Sequence, residues 1–198
     1  GGDQTLLAML KDLRKDEARK RGLQPWILFT DPSLEDMSIL YPLTFEELRG
    51  CQGVGEGKAR KYGKPFLDLI ARYVEENEIL RPDDFVVKSV ASKSGNKVYI
   101  IQSIDRKMAL EDIASAKGLD LDDLLTEIEA IVSTGTRLDI NYYIEDTLDE
   151  DVVKEIYDWF KEEAASDSLE DALAALDSDY EDLEIRLVRI KFLCEVAN

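Results

Sequence analysis

FEELRGCQGVGEGKARKYGKPFLDLI, residues 45–70, is the stretch on which the reading of this chain turns. It reads as two short helices flanking a Gly-Val-Gly hairpin. Thr44-Phe45-Glu46-Glu47 has the capping-box pattern that opens a short helix, and Gly50 closes it. A second helix takes residues 56–62. Gly63 is expected to break the chain and Pro65 to restart it, with Phe66, Leu69, Ile70, Tyr73 and Val74 forming an amphipathic helix to about Asn77. Lacking side chains, Gly53 and Gly55 are free to take positive φ around Val54 and expose amides at the start of the next helix. Oriented amides at a helix N-terminus make a phosphate seat. Lys58, Arg60, Lys61 and Lys64 follow and add positive charge. The plainer reading of the same residues is a tight turn between packed helices with solvated lysines.

Toward the N-terminus, Leu6, Leu10 and Leu13 recur at helical spacing, and Lys11, Lys15 and Arg19 line the opposite side of a helix that Gly22 ends. Gln24-Pro25-Trp26-Ile27-Leu28-Phe29 is expected as an extended apolar connection, because the residue before a proline avoids helical geometry. Asp31-Pro32 opens another helix, with Asp31 as N-cap and Leu34, Met37 and Leu40 inward; Pro42 stops it. Asp16–Lys20 and Glu17–Arg21 have the i,i+4 spacing of helix ion pairs.

Toward the C-terminus, residues 81–96 are polar and turn-rich and read as a linker, with Phe85-Val86-Val87 able to dock on a neighbour. Helices are expected over 97–105, 121–133, 149–164, 168–176 and 181–196. Leu110 to Asp120, with Gly118 before the 121–133 helix, gives a helix-turn-helix outline. Leu138 to Ile144 alternates like a short strand or wing. The would-be recognition helix carries Asp122, Asp123, Glu127 and Glu129, which a phosphate-lined groove would repel, so base reading by it is disfavoured.

The charge is uneven. Residues 1–80 hold 12 Lys and Arg against 14 Asp and Glu, a net of −2, whereas residues 81–198 hold 13 against 29, a net of −16, within a total of −18. The two parts meet different electrostatic demands. Two distant cysteines and no histidine argue against a disulfide scaffold or zinc site and suit a reducing cytosol. No apolar run approaches membrane-spanning length. Gly1-Gly2 in place of Met reads as an expression scar ahead of a piece of a longer protein.

In order and with matching spacing, LLAMLKDLRKDEARKRG (6–22), QPWILFTDPSLEDM (24–37), YPLTFEEL (41–48) and GVGEGKARKYGKPFLDLI (53–70) resemble the helicase-and-RNase-D C-terminal (HRDC) domain. The GVG…KYGKPF run is more like that of bacterial RecQ helicases than of RNase D. Residues 97–198 are similar, with weaker motifs, to the helix-turn-helix-type region that ends many such helicases. The resemblance implies an all-α chain: a five-helix HRDC bundle over 1–80, a linker over 81–96 and an acidic helix-turn-helix-type domain over 97–198. It implies weak, largely sequence-independent engagement of single-stranded or partly duplex DNA in support of ATP-driven unwinding in repair and recombination. Trp26 sits where the family places an aromatic after a proline, able to stack on an unpaired base, with Arg19, Lys20 and Arg21 beside it to hold phosphates. The same residues also admit a buried Trp26 and a solvated basic face.

No GxxxxGK[ST] loop and no Cys/His nucleophile pattern appears, so the chain itself is read as non-catalytic, without cofactor or metal. ATP and magnesium would belong to the parent helicase. Expected partners are DNA, other domains of the same helicase and, through the acidic half, a protein. Tyr142, Tyr143, Tyr157, Trp159 and Phe160 there are either anchors for that protein or simply core. No membrane is expected, and the location is the bacterial cytoplasm at the nucleoid. The alternatives are an acidic protein-interaction or autoinhibitory module and an appendage of an RNase D-type exonuclease.

Overall fold

The structure is a computed structural model that describes residues 1–81 and 95–198. Most of the 81–96 linker, with Phe85-Val86-Val87, lies outside the described residues. The chain divides into two compact units, one of Gly1–Ala91 with Ala197–Asn198 and one of Ser92–Val196. All regular structure among the described residues is helical.

The first unit opens with α1 (Gln4–Arg21), whose N-cap Asp3 accepts the Leu6 amide and which Gly22 closes in the left-handed region at φ 66°. A single turn, α2 (Pro25–Leu28), replaces the expected extended connection. Pro25 at its first position explains this: proline's fixed φ is already helical and its missing N–H would be unpaired there anyway. In α3 (Asp31–Leu40) the N-cap is Thr30 rather than Asp31, which takes the first helical position. The short α4 (Phe45–Leu48) is capped by the Thr44 hydroxyl, which accepts the Glu47 amide at 3.1 Å.

The largest departure is α5. Instead of breaking at Gly63, it runs unbroken from Glu56 to Glu76 with Pro65 inside. A proline has no N–H for the carbonyl four residues back. That carbonyl, Lys61 O, instead accepts Nη2 of Arg21 from α1 at 3.3 Å. Gly63 serves packing rather than chain breaking. A Cβ there would lie 2.6 Å from Leu48 Cδ2, so its bareness lets α4 lie against α5. The core joins Leu6, Leu10, Leu28, Phe29, Leu34, Met37, Leu48, Phe66 and Ile70, with Phe29 and Phe66 edge to face at 4.7 Å.

The second unit contains α6 (Gly95–Asp105), α7 (Leu110–Ala116), α8 (Leu121–Ser133), α9 (Asn141–Thr147), α10 (Glu150–Glu162), α11 (Leu169–Leu176) and α12 (Asp182–Phe192), which passes into a π-helical turn over Leu193–Ala197. Helix α7, Gly118 at φ 68° and α8 make the helix-turn-helix corner. Helix α12 packs on α8, α9, α10 and α11 and forms the spine of the unit. The expected strand or wing is absent. Leu138 and Ile140 point inward, but the chain then turns into α9 as the Asp139 carboxylate accepts the Asn141 amide at 3.0 Å. Tyr143 and Ile144 follow Ile140 at helical spacing and are buried with it. A three-residue alternation with no partner strand to ladder with defaults to the helix.

Candidate nucleic-acid interface

The basic end of α1 and the middle of α5 come together. Arg21 bonds Glu17 at 2.8 Å, reaches Lys61 O and lies over the Tyr62 ring at 5.3 Å. Glu17, buried beneath, holds Arg21 and also lies 3.7 Å from Lys20; Asp16 lies 3.9 Å from Arg19. Arg21 is thereby committed to the helix–helix contact. The Arg19 and Lys20 side chains, each 72% exposed, stand in solvent at the same helix end. On α5, Arg60 and Lys64 are similarly exposed and hold Glu56 at 2.9 Å and Asp68 at 3.2 Å, one turn away. Exposed pairs of this kind contribute only about 0.3–0.5 kcal/mol, so their cations exchange carboxylate for phosphate at little cost. The Lys61 side chain is exposed as well.

Three expected contributors are placed differently. Trp26 is 8% exposed. The helical turn begun by Pro25 rotates its indole into the fold, so a stacking face for a base is not presented there. Lys58 is 4% exposed; its amine donates to Ile27 O at 3.1 Å and sits 5.9 Å from the centre of the Phe29 ring. It ties α5 to α2 and cannot reach a phosphate in this arrangement. Val54 is also core. Of the hairpin glycines, Gly53 has the positive φ of 73°, whereas Gly55 is extended, at φ −95° and ψ 178°, as the N-cap of α5. With no side-chain cap, the first-turn amides of α5 follow Gly55 with their positive helix end.

Sequence reasoning missed a network at the opposite end of α1. Asp3 Oδ2 accepts Tyr73 OH at 2.8 Å and Tyr41 OH at 3.1 Å, joining the chain start, α3 and α5. Burial works to raise the Asp3 carboxyl, but hydrogen bonds from the Leu6 amide, Tyr73, Tyr41 and the Thr5 amide together outweigh it and hold the group below its ordinary range. Tyr73 is pushed up to about 12, first by that carboxylate and then by burial. Aspartate three residues before an apolar helical run was the available signal.

In the second unit, α8 presents no cation. Its Asp122 and Glu129 bind Arg186 of α12, Glu129 at 2.8 Å. Among the described residues, the possible metal-ligand grouping is Asp120, Asp122 and Asp123, all exposed. Asp120 caps α8 by accepting the Asp123 amide at 2.8 Å, and Asp122 is engaged by Arg186, so both have structural roles. Tyr157, Trp159, Phe160 and Phe192 pack ring on ring; of the aromatic cluster Tyr143 and Phe160 are buried in the core, whereas Tyr142, Tyr157 and Trp159 are half-buried. No helix among the described residues is long and apolar enough to cross a membrane.

Residues 3–70 match the HRDC domain model, and residues 94–144 match the model of the RecQ-1-like helix-turn-helix domain. Among curated proteins, the chain is similar to the ATP-dependent DNA helicase RecQ of Bacillus subtilis, 40% identical over 68 residues, covering 34% of this chain and 12% of that protein. It is also similar to the enzymes of the same name from Haemophilus influenzae, 37% identical over 71 residues, and Pasteurella multocida, 34% identical over 71 residues. These matches cover 36% of this chain and 12% and 11% of those proteins. The order expected from the sequence, HRDC followed by a helix-turn-helix-type helicase domain, is the order of the two model matches.

Proposed function

We propose that this chain, an HRDC-like unit followed by a RecQ-1-like helix-turn-helix unit, is a non-catalytic accessory region of a RecQ-type DNA helicase. Its first unit engages DNA weakly and with little regard to sequence. The single observation that supports this most is the Arg21–Lys61 contact, which brings the basic end of α1 beside the basic run of α5. Arg19, Lys20, Arg60, Lys61 and Lys64 then supply exposed charge, and the ion pairs that Arg19, Lys20, Arg60 and Lys64 make along their own helices are weak ones. Each cation that meets a phosphate releases a counterion, so affinity falls with salt by a slope of about 0.7 per contact on a single strand. In this reading, ATP and magnesium are bound elsewhere in a longer helicase, and unwinding is the work of that whole protein in the bacterial cytoplasm.

The test is anisotropy of a labelled single-stranded oligonucleotide with the 198-residue chain across a salt series. Micromolar or weaker binding is expected, with Lys20→Ala, Lys61→Ala and Lys64→Ala each lowering both affinity and slope. No binding at low salt removes the proposal.

A second reading draws on the charge of residues 81–198, net −16. Here the acidic unit covers a basic surface of the helicase or of a partner protein. Deleting residues 97–198 from a full-length helicase would then change its DNA affinity or ATPase rate; unchanged kinetics would argue against it.

A further inference from the structure

A groove of about 350 Å³ lies between α4 and the first turns of α5, lined by Phe45, Glu46, Arg49, Glu56, Ala59 and Arg60. We propose that it seats one unpaired nucleotide, its base stacked on Phe45 and its phosphates met by Arg49 and Arg60. This rests on the DNA-engaging reading of the first unit and names a contact within it.

Phe45 carries the proposal. Most large apolar side chains of the unit are buried, yet Phe45, at the first position of α4, is 45% exposed. One part of its ring rests against α5 at Gly63: a Cβ there would lie 3.8 Å from Phe45 Cε1. The ring is thus backed by helix and open on the groove side, as a stacking platform must be. Base–aromatic stacking needs only a flat, supported ring and tolerates any base.

The rim fits the same ligand. Arg49 is exposed, and its guanidinium makes no ion pair with the carboxylates of the described residues. Arg60 holds Glu56 through an exposed one-turn pair that a phosphate can displace. Glu46 and Glu56 also line the groove, so two cations face two carboxylates. A lining without net charge disfavours the dense phosphate array of a duplex and leaves stacking as the main attraction. The opening is large enough for one nucleotide, not for a helix of DNA.

Stacking and counterion release separate experimentally. The intact chain is titrated into a labelled oligo-dT and into a blunt duplex of equal length, each at two salt concentrations. Phe45→Leu keeps an apolar side chain against Gly63 but removes the aromatic face. It should weaken oligo-dT binding about tenfold at both salts, with the salt slope unchanged and duplex binding unaffected. Phe45→Trp should restore or exceed the original affinity, and Arg49→Ala should lower affinity and slope together. Thermal melts of each variant verify folding. If the unaltered chain binds oligo-dT and Phe45→Leu binds it equally well, the groove assignment is overturned while the DNA reading stands. Equal loss on duplex and single strand also overturns it. If the unaltered chain binds neither, the DNA reading falls and the groove with it.

Discussion

In the first unit, four cations of α1 and α5 project more than 70% of their side chains into water, each beside a carboxylate on its own helix. In the second unit, α12 turns its arginines inward. Arg186, with 11% of its side chain exposed, holds Asp122 and Glu129 of α8, while Arg189 is buried and donates to Asp167 O at 2.8 Å. A cation that serves as an internal strut is lost to outside partners, whatever its count in the composition. The first unit, near neutral by arithmetic, therefore offers usable positive charge. In the second, Arg186 is spent on Asp122 and Glu129 and Arg189 is buried, while Asp123 of α8 stands exposed.

The largest effect separating the two kinds of cation is expected at Arg186. Arg186→Ala leaves Glu129, a carboxylate with 13% side-chain exposure, without its arginine. It should destabilise the second unit by about 2–3 kcal/mol without changing DNA affinity. Urea denaturation followed by Trp159 fluorescence, in a Trp26→Phe background, reads that unit. A loss below about 0.5 kcal/mol would place Arg186 with the surface cations and erase the contrast.

Lys58 sharpens the contrast from within the first unit, since it is the basic residue of α5 that lies inside. Lys58→Met keeps the stem but abandons Ile27 O, and should cost about 1–2 kcal/mol. The DNA affinity of the folded protein should stay the same, unlike that of Lys61→Ala. Weaker binding by a well-folded Lys58→Met would show that the amine leaves its buried seat to meet DNA.

Whatever depended on local chain chemistry was legible in advance. Gly22 as a left-handed stop, Thr44 as a cap and the α8 span Leu121–Ser133 all follow from residues within a few positions of one another. What failed was settled at long range. A proline inside α5 is tolerated because Arg21, far back in the chain on α1, bonds the carbonyl that Pro65 cannot. Lys58 and Lys61 look alike in sequence and differ only in which side of α5 the core occupies. The indole of Trp26 was open to either fate until the α2 turn fixed its direction. The exposed ring of Phe45 was hidden in a capping box and carried no functional signal of its own.

Gly63 offers a smaller effect on the same helix. Alanine there gains about 0.5–1 kcal/mol of helix propensity but drives a methyl into Leu48, which is fully buried, at an overpacking cost of about 1–3 kcal/mol. A net loss near 1 kcal/mol is expected by thermal denaturation. Because α4 would be displaced, single-strand affinity should fall with it. A stabilised Gly63→Ala would mean that α4 packs loosely, and that Phe45 lacks the support its platform requires.

The smallest effect concerns a carboxylate of the first unit that faces inward, the counterpart of its outward cations. Asp3 caps α1 through Oδ1 at 3.0 Å and accepts two tyrosine hydroxyls through Oδ2. Asparagine keeps the cap, but its single carbonyl oxygen cannot serve both sets of donors. Asp3→Asn should lower Tm by about 2–4 °C at pH 7. Since the folded Asp3 lies below the ordinary carboxylate value, its contribution is complete above about pH 4 and disappears as pH falls through the folded value. The Tm difference between the two proteins should therefore hold from about pH 7 to 5 and close below about pH 4. A difference that persists undiminished near pH 2.5 would mean the clasp works through the shape of the side chain rather than its charge. The inward carboxylate would then give no parallel to the inward cations.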